Sequence, residues 1–310
     1  MHQILVTSDL SAASIGAFTE AGTWFKRFQP GTTRLTLLHV GEWQRVLMMG
    51  TGESFPVINS REVLASIREH AQNALNKLAE QHLIENPVTP VVVESLCSPA
   101  EEIAEYARRH SVNLIVIASH GYSGLKRIFV GSVTERLLSL SPCPVLVVPT
   151  EADVTCDQNL LENMIVTTDF SEASYAAFPV AREFYLACGQ KNAQLAIVHV
   201  AEDLTRETFG LSLGVDREAV REEVEAQAQR KLEELRERYF PGLPVMTSVI
   251  RAEQPAEREL ANYVQSHNVN LVVIASHGRS GFEQFFVGSA TRRLLHSLRR
   301  KILVVPGPHT

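Results

Sequence analysis

A glycine-rich loop, Ala118–Gly124, carries the most distinctive chemistry of the sequence, and it closes with Gly131-Ser132. The apolar run Leu114–Ile117 precedes the loop, and residues at helical spacing follow Ser132. The glycines therefore lie in a predicted strand-to-helix connection, where α/β proteins bind phosphate groups. Because glycine lacks Cβ, backbone N–H groups there can approach a phosphate closely. The helix start adds N–H donors without helical partners and the positive end of the helix dipole.

The same loop occurs again in the second half of the chain. Ala275–Gly281 repeats its residue pattern and closes with Gly288-Ser289. The segments 112–149 and 269–306 align without gaps, and more than half of their positions are identical. This repeat predicts a duplicated domain.

An acidic residue follows the first predicted strand of each half. Asp9 comes after Ser8 in the first copy, and Asp169 comes after Thr168 in the second. In a doubly wound sheet the carboxyl ends of the strands form the ligand-binding crevice. We expect each aspartate to accept hydrogen bonds from ribose hydroxyls at that edge.

The same reasoning places a nucleotide in each domain, with its phosphates toward Ser132 and its base packed on Val40 at the end of the second strand. In domain 1 the binding residues predicted in this way are Ser8, Asp9, Val40, Ala118, Gly121, Ser123, Gly124, Gly131 and Ser132. In domain 2 they are Thr168, Asp169, Val200, Ala275, Gly278, Arg279, Gly281, Gly288 and Ser289.

Two details of the loops leave alternatives open. Arg279 can reach a phosphate whereas its counterpart Tyr122 cannot, which predicts unequal affinities, but Arg279 can equally be a solvated loop charge. His120 and His277 are interpreted as hydrogen-bonding residues that shape the loop rather than as general bases. The glycines themselves can instead serve only a tight turn and close helix packing.

Apolar runs alternate with amphipathic segments in the order βαβαβαβαβ in each half. This order predicts an α/β fold, with two tandem doubly wound, Rossmann-like domains that each contain a five-stranded parallel sheet. The predicted boundaries are 1–150 for domain 1, 151–161 for a polar, acidic linker and 162–310 for domain 2. The third strand of domain 1 is predicted at Val91–Leu96. The long connection 41–60 is either a lid beside the site or an insert.

Composition narrows the function classes. The chain has 310 residues, a net charge of −6 and a pI near 6.0, so no basic field indicates nucleic-acid binding. No apolar run is long enough for a membrane helix, and the N-terminus lacks the pattern of a signal peptide. Four scattered cysteines are interpreted as free thiols of a reducing compartment, so we expect a cytoplasmic protein.

At these residues the chain resembles the universal stress protein family, in tandem form. The family pattern is Gly, two residues, Gly, nine residues, Gly, then Ser or Thr. Gly121 and Gly131-Ser132 match it, and Ala118 stands where the pattern has its first glycine. The second copy departs in the same way, with Ala275. The resemblance also implies that Val133 and Ala290, which follow Ser132 and Ser289, take part in nucleotide binding.

The resemblance implies a fold like that of the adenine nucleotide alpha hydrolases and binding of ATP, with or without Mg²⁺, as a stress-response signal. It also implies that the last strands, Val145–Val148 and Ile302–Val305, join the two domains as a pseudo-dimer, and that two chains can associate further. No G-x-x-x-x-G-K-[ST] loop is present, so rapid ATP turnover is not expected. Two alternatives remain: an interaction or chaperone-like protein with an empty site, and slow ATP hydrolysis or self-phosphorylation.

Overall fold

Strands and helices alternate along both halves of the chain in a computed structural model. The structure describes residues 3–28, 31–42, 60–119, 130–150, 163–189, 193–202, 217–276 and 288–307. The chain divides into two units, Met1–Val154 and Thr155–Thr310. The predicted linker 151–161 and the connection from 43 to 59 lie outside the described residues.

The described residues of the first unit form five strands and four α-helices, together with a 3-10 turn at Ala12–Ser14. Its elements are β1 (Gln3–Thr7), α1 (Ile15–Arg27), β2 (Arg34–Gly41), α2 (Ser60–His82), β3 (Val88–Glu94), α3 (Pro99–Arg109), β4 (Leu114–Ala118), α4 (Ser132–Leu140) and β5 (Val145–Val148).

The second unit repeats this order with one interruption in its first helix. Its elements are β6 (Asn163–Thr167), α5 (Glu172–Tyr175), α6 (Ala177–Cys188), β7 (Gln194–Ala201), α7 (Arg217–Tyr239), β8 (Val245–Arg251), α8 (Ala256–Ser266), β9 (Leu271–Ala275), α9 (Ser289–Ser297) and β10 (Lys301–Val305).

Each unit is a parallel sheet whose strand order reverses once. The order is β3-β2-β1-β4-β5 in the first unit and β10-β9-β6-β7-β8 in the second, and the described pairings are parallel. In the first unit α1 contacts α2, while α3 contacts α4, as expected when the crossovers cover opposite faces of the sheet. The predicted doubly wound α/β class is confirmed, and the order reverses beside β1 and β6.

The strands between the helix layers are apolar because both of their faces are covered. β4 and β5 are buried along their whole length. α1 places Phe18, Trp24 and Phe25 on the face that packs on the sheet, and each of these side chains is at most 5% exposed.

The start of α3 in the first unit is held by a capping box. Ser98 Oγ accepts from the Glu101 N–H at 3.4 Å, and Glu101 Oε2 accepts from the Ser98 N–H at 3.0 Å. Glu101 Oε1 also accepts from Arg136 on α4. The Arg136 and Ser98 bonds lower the pKa of Glu101 from 4.5 to about 2.

A pH-dependent contribution to stability follows from this shift. Because the pKa is lower in the folded state, the contribution is complete above 4.5 and is lost as the pH falls toward 2. The variant Glu101→Gln keeps an oxygen acceptor but removes the charge. We expect its melting temperature to lie below that of the wild type at neutral pH and to converge with it at low pH. A gap that stays constant across this range would contradict the expectation.

Three of the four cysteines lie in the part of the chain that the structure describes. Cys97 is exposed and Cys188 is half-buried. Cys143 is buried, which raises the pKa of its thiol to about 12, so Cys143 stays protonated. Cys156 lies outside the described residues. Among the helices described, none is long and apolar enough to cross a bilayer.

Candidate functional site

Those predicted site residues of the first unit that the structure describes lie at the carboxyl edge of its sheet. The β1–β4 register pairs Val6 with Val116, so Ser8, the residue after β1, and Ala118, the last residue of β4, come at the same level. The β1–β2 register pairs Thr7 with Leu38 in the same way. Asp9 and Val40 therefore share one level at this edge, beside the reversal of strand order.

The turn after β1, residues 8–11, is organised by hydrogen bonds to its own backbone, and we call it the aspartate turn. Asp9 Oδ1 accepts from both the N–H and the hydroxyl of Ser11, at 3.0 and 2.7 Å. Leu10 has a φ of 66°, a left-handed conformation that is unfavourable for a branched side chain. The Leu10 N–H donates to Ser8 Oγ at 2.9 Å, which helps to offset this cost.

Two buried hydroxyls continue this network beneath the turn. Ser14 Oγ donates to the Ser11 carbonyl at 2.8 Å, so its single proton is committed there. In the 3.0 Å contact between the hydroxyls of Ser8 and Ser14, Ser8 must therefore be the donor. The result is a directed chain of hydrogen bonds that fixes the orientation of the aspartate before any ligand arrives.

The second unit builds the same turn from different residues. Asp169 Oδ1 accepts from the N–H and the hydroxyl of Ser171 at 3.0 and 2.5 Å, and the Phe170 N–H donates to Thr168 Oγ1 at 2.9 Å. Ser174 Oγ donates to the Ser171 carbonyl and accepts from Thr168 at 2.8 Å. Phe170 has a φ of 64°. The aspartate turn is therefore a repeated device.

A histidine that was not among the predicted site residues supports each turn from the second strand. His39 Nδ1 lies 2.9 Å from the Ser8 carbonyl, and His199 Nδ1 lies 2.8 Å from the Thr168 carbonyl. A carbonyl only accepts, so Nδ1 carries the proton in both rings. Burial lowers the pKa of His39, against the opposing effects of the Ser8 carbonyl and Asp9, so this ring is neutral at pH 7.

The helix after the glycine loop begins where the sequence predicts it. Gly131 is the N-cap residue of α4 and Ser132 is its first residue. The N–H of Gly131 donates to the Ser119 carbonyl at 2.8 Å, so this amide is already used. The donors that a helix start leaves without helical partners are the amides of Ser132, Val133 and Thr134.

Gly131 needs no special backbone conformation, because its φ of −62° and ψ of 145° suit any residue. Glycine suits this position because it places no side chain in front of the helix start. Ala118 likewise causes no strain: it is the buried last residue of β4, and its φ is not positive. Its carbonyl accepts from Thr134 Oγ1 at 3.1 Å, which ties the strand end to the helix start.

The second helix start is built alike. The Gly288 N–H donates to the Ser276 carbonyl at 2.8 Å, and Thr291 Oγ1 donates to the Ala275 carbonyl at 3.2 Å. Ser289 and Ala290 form the first turn of α9. The other predicted loop residues lie outside the described residues: Gly121, Ser123, Gly124, Gly278, Arg279 and Gly281, together with His120 and His277.

The exposed groups at the carboxyl edge of each sheet include apolar, acidic and hydrogen-bond-donating groups. Val40 and Val200 are half-exposed at the ends of the second strands, and Asp9 is exposed beside Val40. Ser132 is exposed at the helix start. Within the described residues, no group of three or more His, Cys, Asp or Glu side chains is placed to hold a metal ion. Each edge thus offers an apolar surface, a carboxylate and a set of amide donors.

Comparison with known proteins gives a consistent result for both halves of the chain. The model of the universal stress protein family matches residues 1–149 and 161–306. A universal stress protein of Mycobacterium tuberculosis is 31% identical over 195 residues, which cover 63% of this chain and 62% of that protein. Universal stress protein YxiE of Bacillus subtilis is 32% identical over 151 residues, covering 47% of this chain and 98% of YxiE.

Solved structures extend the similarity over nearly the whole length. The crystal structure of a universal stress protein from Archaeoglobus fulgidus superposes with a TM-score of 0.66 at 19% identity and covers 98% of each chain. A functionally unknown protein from Pseudomonas aeruginosa superposes with a TM-score of 0.60 at 16% identity, covering 99% of this chain and 93% of the other. At such identities the likeness concerns the fold.

Proposed function

We propose that this chain, which belongs to the universal stress protein family, binds one adenine nucleotide, with ATP as the expected ligand, at the carboxyl edge of each unit. One observation carries the proposal. In both units a pre-oriented aspartate and a glycine-capped helix start meet beside the reversal of strand order, at the edge where doubly wound sheets bind ligands.

Each group at the edge suits one part of the nucleotide. The amides of residues 132–134 and the helix dipole favour phosphate oxygens. Asp9 accepts at its carboxylate, as a ribose hydroxyl requires. Val40 offers a half-exposed apolar surface on which a base can pack. These residues bind and orient, so we propose that ATP acts as a bound signal in a stress response. Any Mg²⁺ would enter largely on the phosphates of the ligand, since Mg²⁺ usually keeps several waters and few protein ligands.

The amount of nucleotide held by the purified protein tests the proposal directly. The protein is saturated with ATP, freed of unbound ligand, denatured and chromatographed. Two adenine nucleotides per chain are expected. Absence of nucleotide after saturation would refute the proposal and favour the interaction or chaperone-like alternative. Free phosphate or labelled protein after incubation with γ-labelled ATP would instead indicate turnover.

The paired variant Asp9→Asn and Asp169→Asn is expected to weaken ATP binding at both sites by about tenfold or more, because a hydrogen bond to a charged acceptor contributes roughly 1.5–3 kcal/mol. An asparagine amide oxygen can still accept from Ser11 and Ser171, so the turns should persist. Calorimetric titration with ATP measures the change, and the melting temperature serves as its control. Unchanged affinity would show that the aspartates do not contact the ligand.

A further inference from the structure

The aspartate turn of the second unit is held by three side chains, Phe170, Tyr175 and Lys231. The centroid of the Phe170 ring lies 4.2 Å from that of His199, the ring that donates to the Thr168 carbonyl. Lys231 Nζ on α7 lies over the Phe170 ring, 5.3 Å from its centroid. Tyr175 Oη donates to the Phe170 carbonyl at 3.1 Å. Phe170, the residue at positive φ in this turn, is thus held through both its side chain and its carbonyl group.

The first unit carries Leu10, Ile15 and Ala74 at the corresponding positions. Leu10 and Ile15 follow Asp9 at the same spacing as Phe170 and Tyr175 follow Asp169. Ala74 corresponds to Lys231 because the next residues along the two helices, Leu75 and Leu232, are both fully buried. An aliphatic side chain provides no aromatic ring, hydroxyl or ammonium group. None of the three contacts can therefore be made in the first unit.

The helix start that follows the aspartate turn is also better capped in the second unit than in the first. Ser171 Oγ accepts from the Ser174 N–H at 3.2 Å and so caps α5. Ser11, its counterpart, makes no side-chain cap bond, and the first unit continues as a 3-10 turn instead. Both turns contain a non-glycine residue at positive φ, a conformation that persists only where surrounding contacts impose it. Among the contacts described, those of Phe170, Tyr175 and Lys231 and the Ser171 cap have no counterpart in the first unit.

We propose that the second unit is the pre-organised, tighter nucleotide site and that Phe170, Tyr175 and Lys231 are the positioning residues that make it so. The inference rests on the nucleotide binding proposed above. A turn already held in its binding conformation loses less freedom when the ligand orders it, and this difference appears as affinity. The second unit therefore fills first as ATP rises, and the first unit responds at higher concentration.

Titration with ATP at fixed ionic strength tests the order of filling. The wild type is expected to show two steps whose dissociation constants differ by about tenfold. The variant Gly288→Val should leave the weak step, and Gly131→Val the strong one. In the Gly131→Val background, Lys231→Ala and Tyr175→Phe are each expected to weaken binding about two- to fivefold. Lys231→Arg should retain the wild-type value, because a guanidinium also interacts with the ring face.

A matched control separates positioning from net charge and from stability. Arg230→Ala removes a neighbouring positive charge that pairs with Glu223 and does not lie over Phe170, so the affinity should not change. The reciprocal variant Leu10→Phe, Ile15→Tyr and Ala74→Lys should tighten the first site in the Gly288→Val background. Equal affinities in the wild type, or a lower melting temperature of Lys231→Ala without any change in affinity, would overturn the inference. Absence of binding at both sites would instead refute the proposed function.

Discussion

Replacement of Gly131 by valine is expected to reduce the bound adenine nucleotide from two per chain to one. Gly131 lies directly ahead of the amides of residues 132–134, which we assign to the phosphates. Its φ and ψ are extended, a conformation that valine adopts without strain, and its N–H can still donate to Ser119. The isopropyl group should therefore block the phosphates and leave the fold intact, at a cost of about 1 kcal/mol for a poorer helix cap.

The second copy provides the control for this experiment. Gly288 occupies the same N-cap position on α9, with a similar extended backbone. Gly288→Val should leave the other single nucleotide bound, and the double variant should bind none. Released nucleotide is counted after denaturation, and circular dichroism verifies that each variant is folded. Two nucleotides per chain in the folded Gly131→Val variant would exclude this helix start as the phosphate site.

The architecture was largely predictable from the alternation of apolar runs and amphipathic segments. The predicted third strand, Val91–Leu96, was wrong by several residues, because β3 spans Val88–Glu94 and includes Pro90. Proline has no N–H to donate to a neighbouring strand, and a strand prediction normally avoids it. Among the described strands of the first unit, β3 pairs with β2 alone, so Pro90 can direct its nitrogen away from the ladder. Position in the sheet, which the local sequence does not contain, overrode local propensity.

Some features of the candidate site have local sequence signals, whereas others depend on contacts between distant parts of the chain. Asp9 and the helix start at Gly131 were predictable because a strand end and a helix start leave local sequence signals. The histidine that donates to the turn was not, because His39 and the Ser8 carbonyl are brought together only by strand pairing. A signal was present in the repeat, since His39-Val40 recurs as His199-Val200. That the Gly131 amide donates to Ser119 also required the three-dimensional structure.

A second large effect is expected inside the first unit, at Trp24. The Trp24 side chain is fully buried, and its indole N–H donates to Glu20 Oε1 at 2.9 Å, where Glu20 is 6% exposed. Trp24→Phe keeps an aromatic ring but removes this donor from a buried carboxylate. We expect the free energy of unfolding of the first unit to fall by about 1–3 kcal/mol, the usual cost of such a loss.

The second unit indicates which further change should restore stability. Phe184 is the buried counterpart of Trp24, and Val180 stands in place of Glu20, so these two positions of the second unit carry no indole–carboxylate pair. The double variant Glu20→Val and Trp24→Phe should therefore regain most of the lost stability, because removing both partners leaves no carboxylate without its donor. Calorimetry that resolves the two units can measure this, and the transition of the second unit should not move. If the double variant is no more stable than Trp24→Phe alone, the loss comes from packing around the smaller ring and not from the hydrogen bond to Glu20.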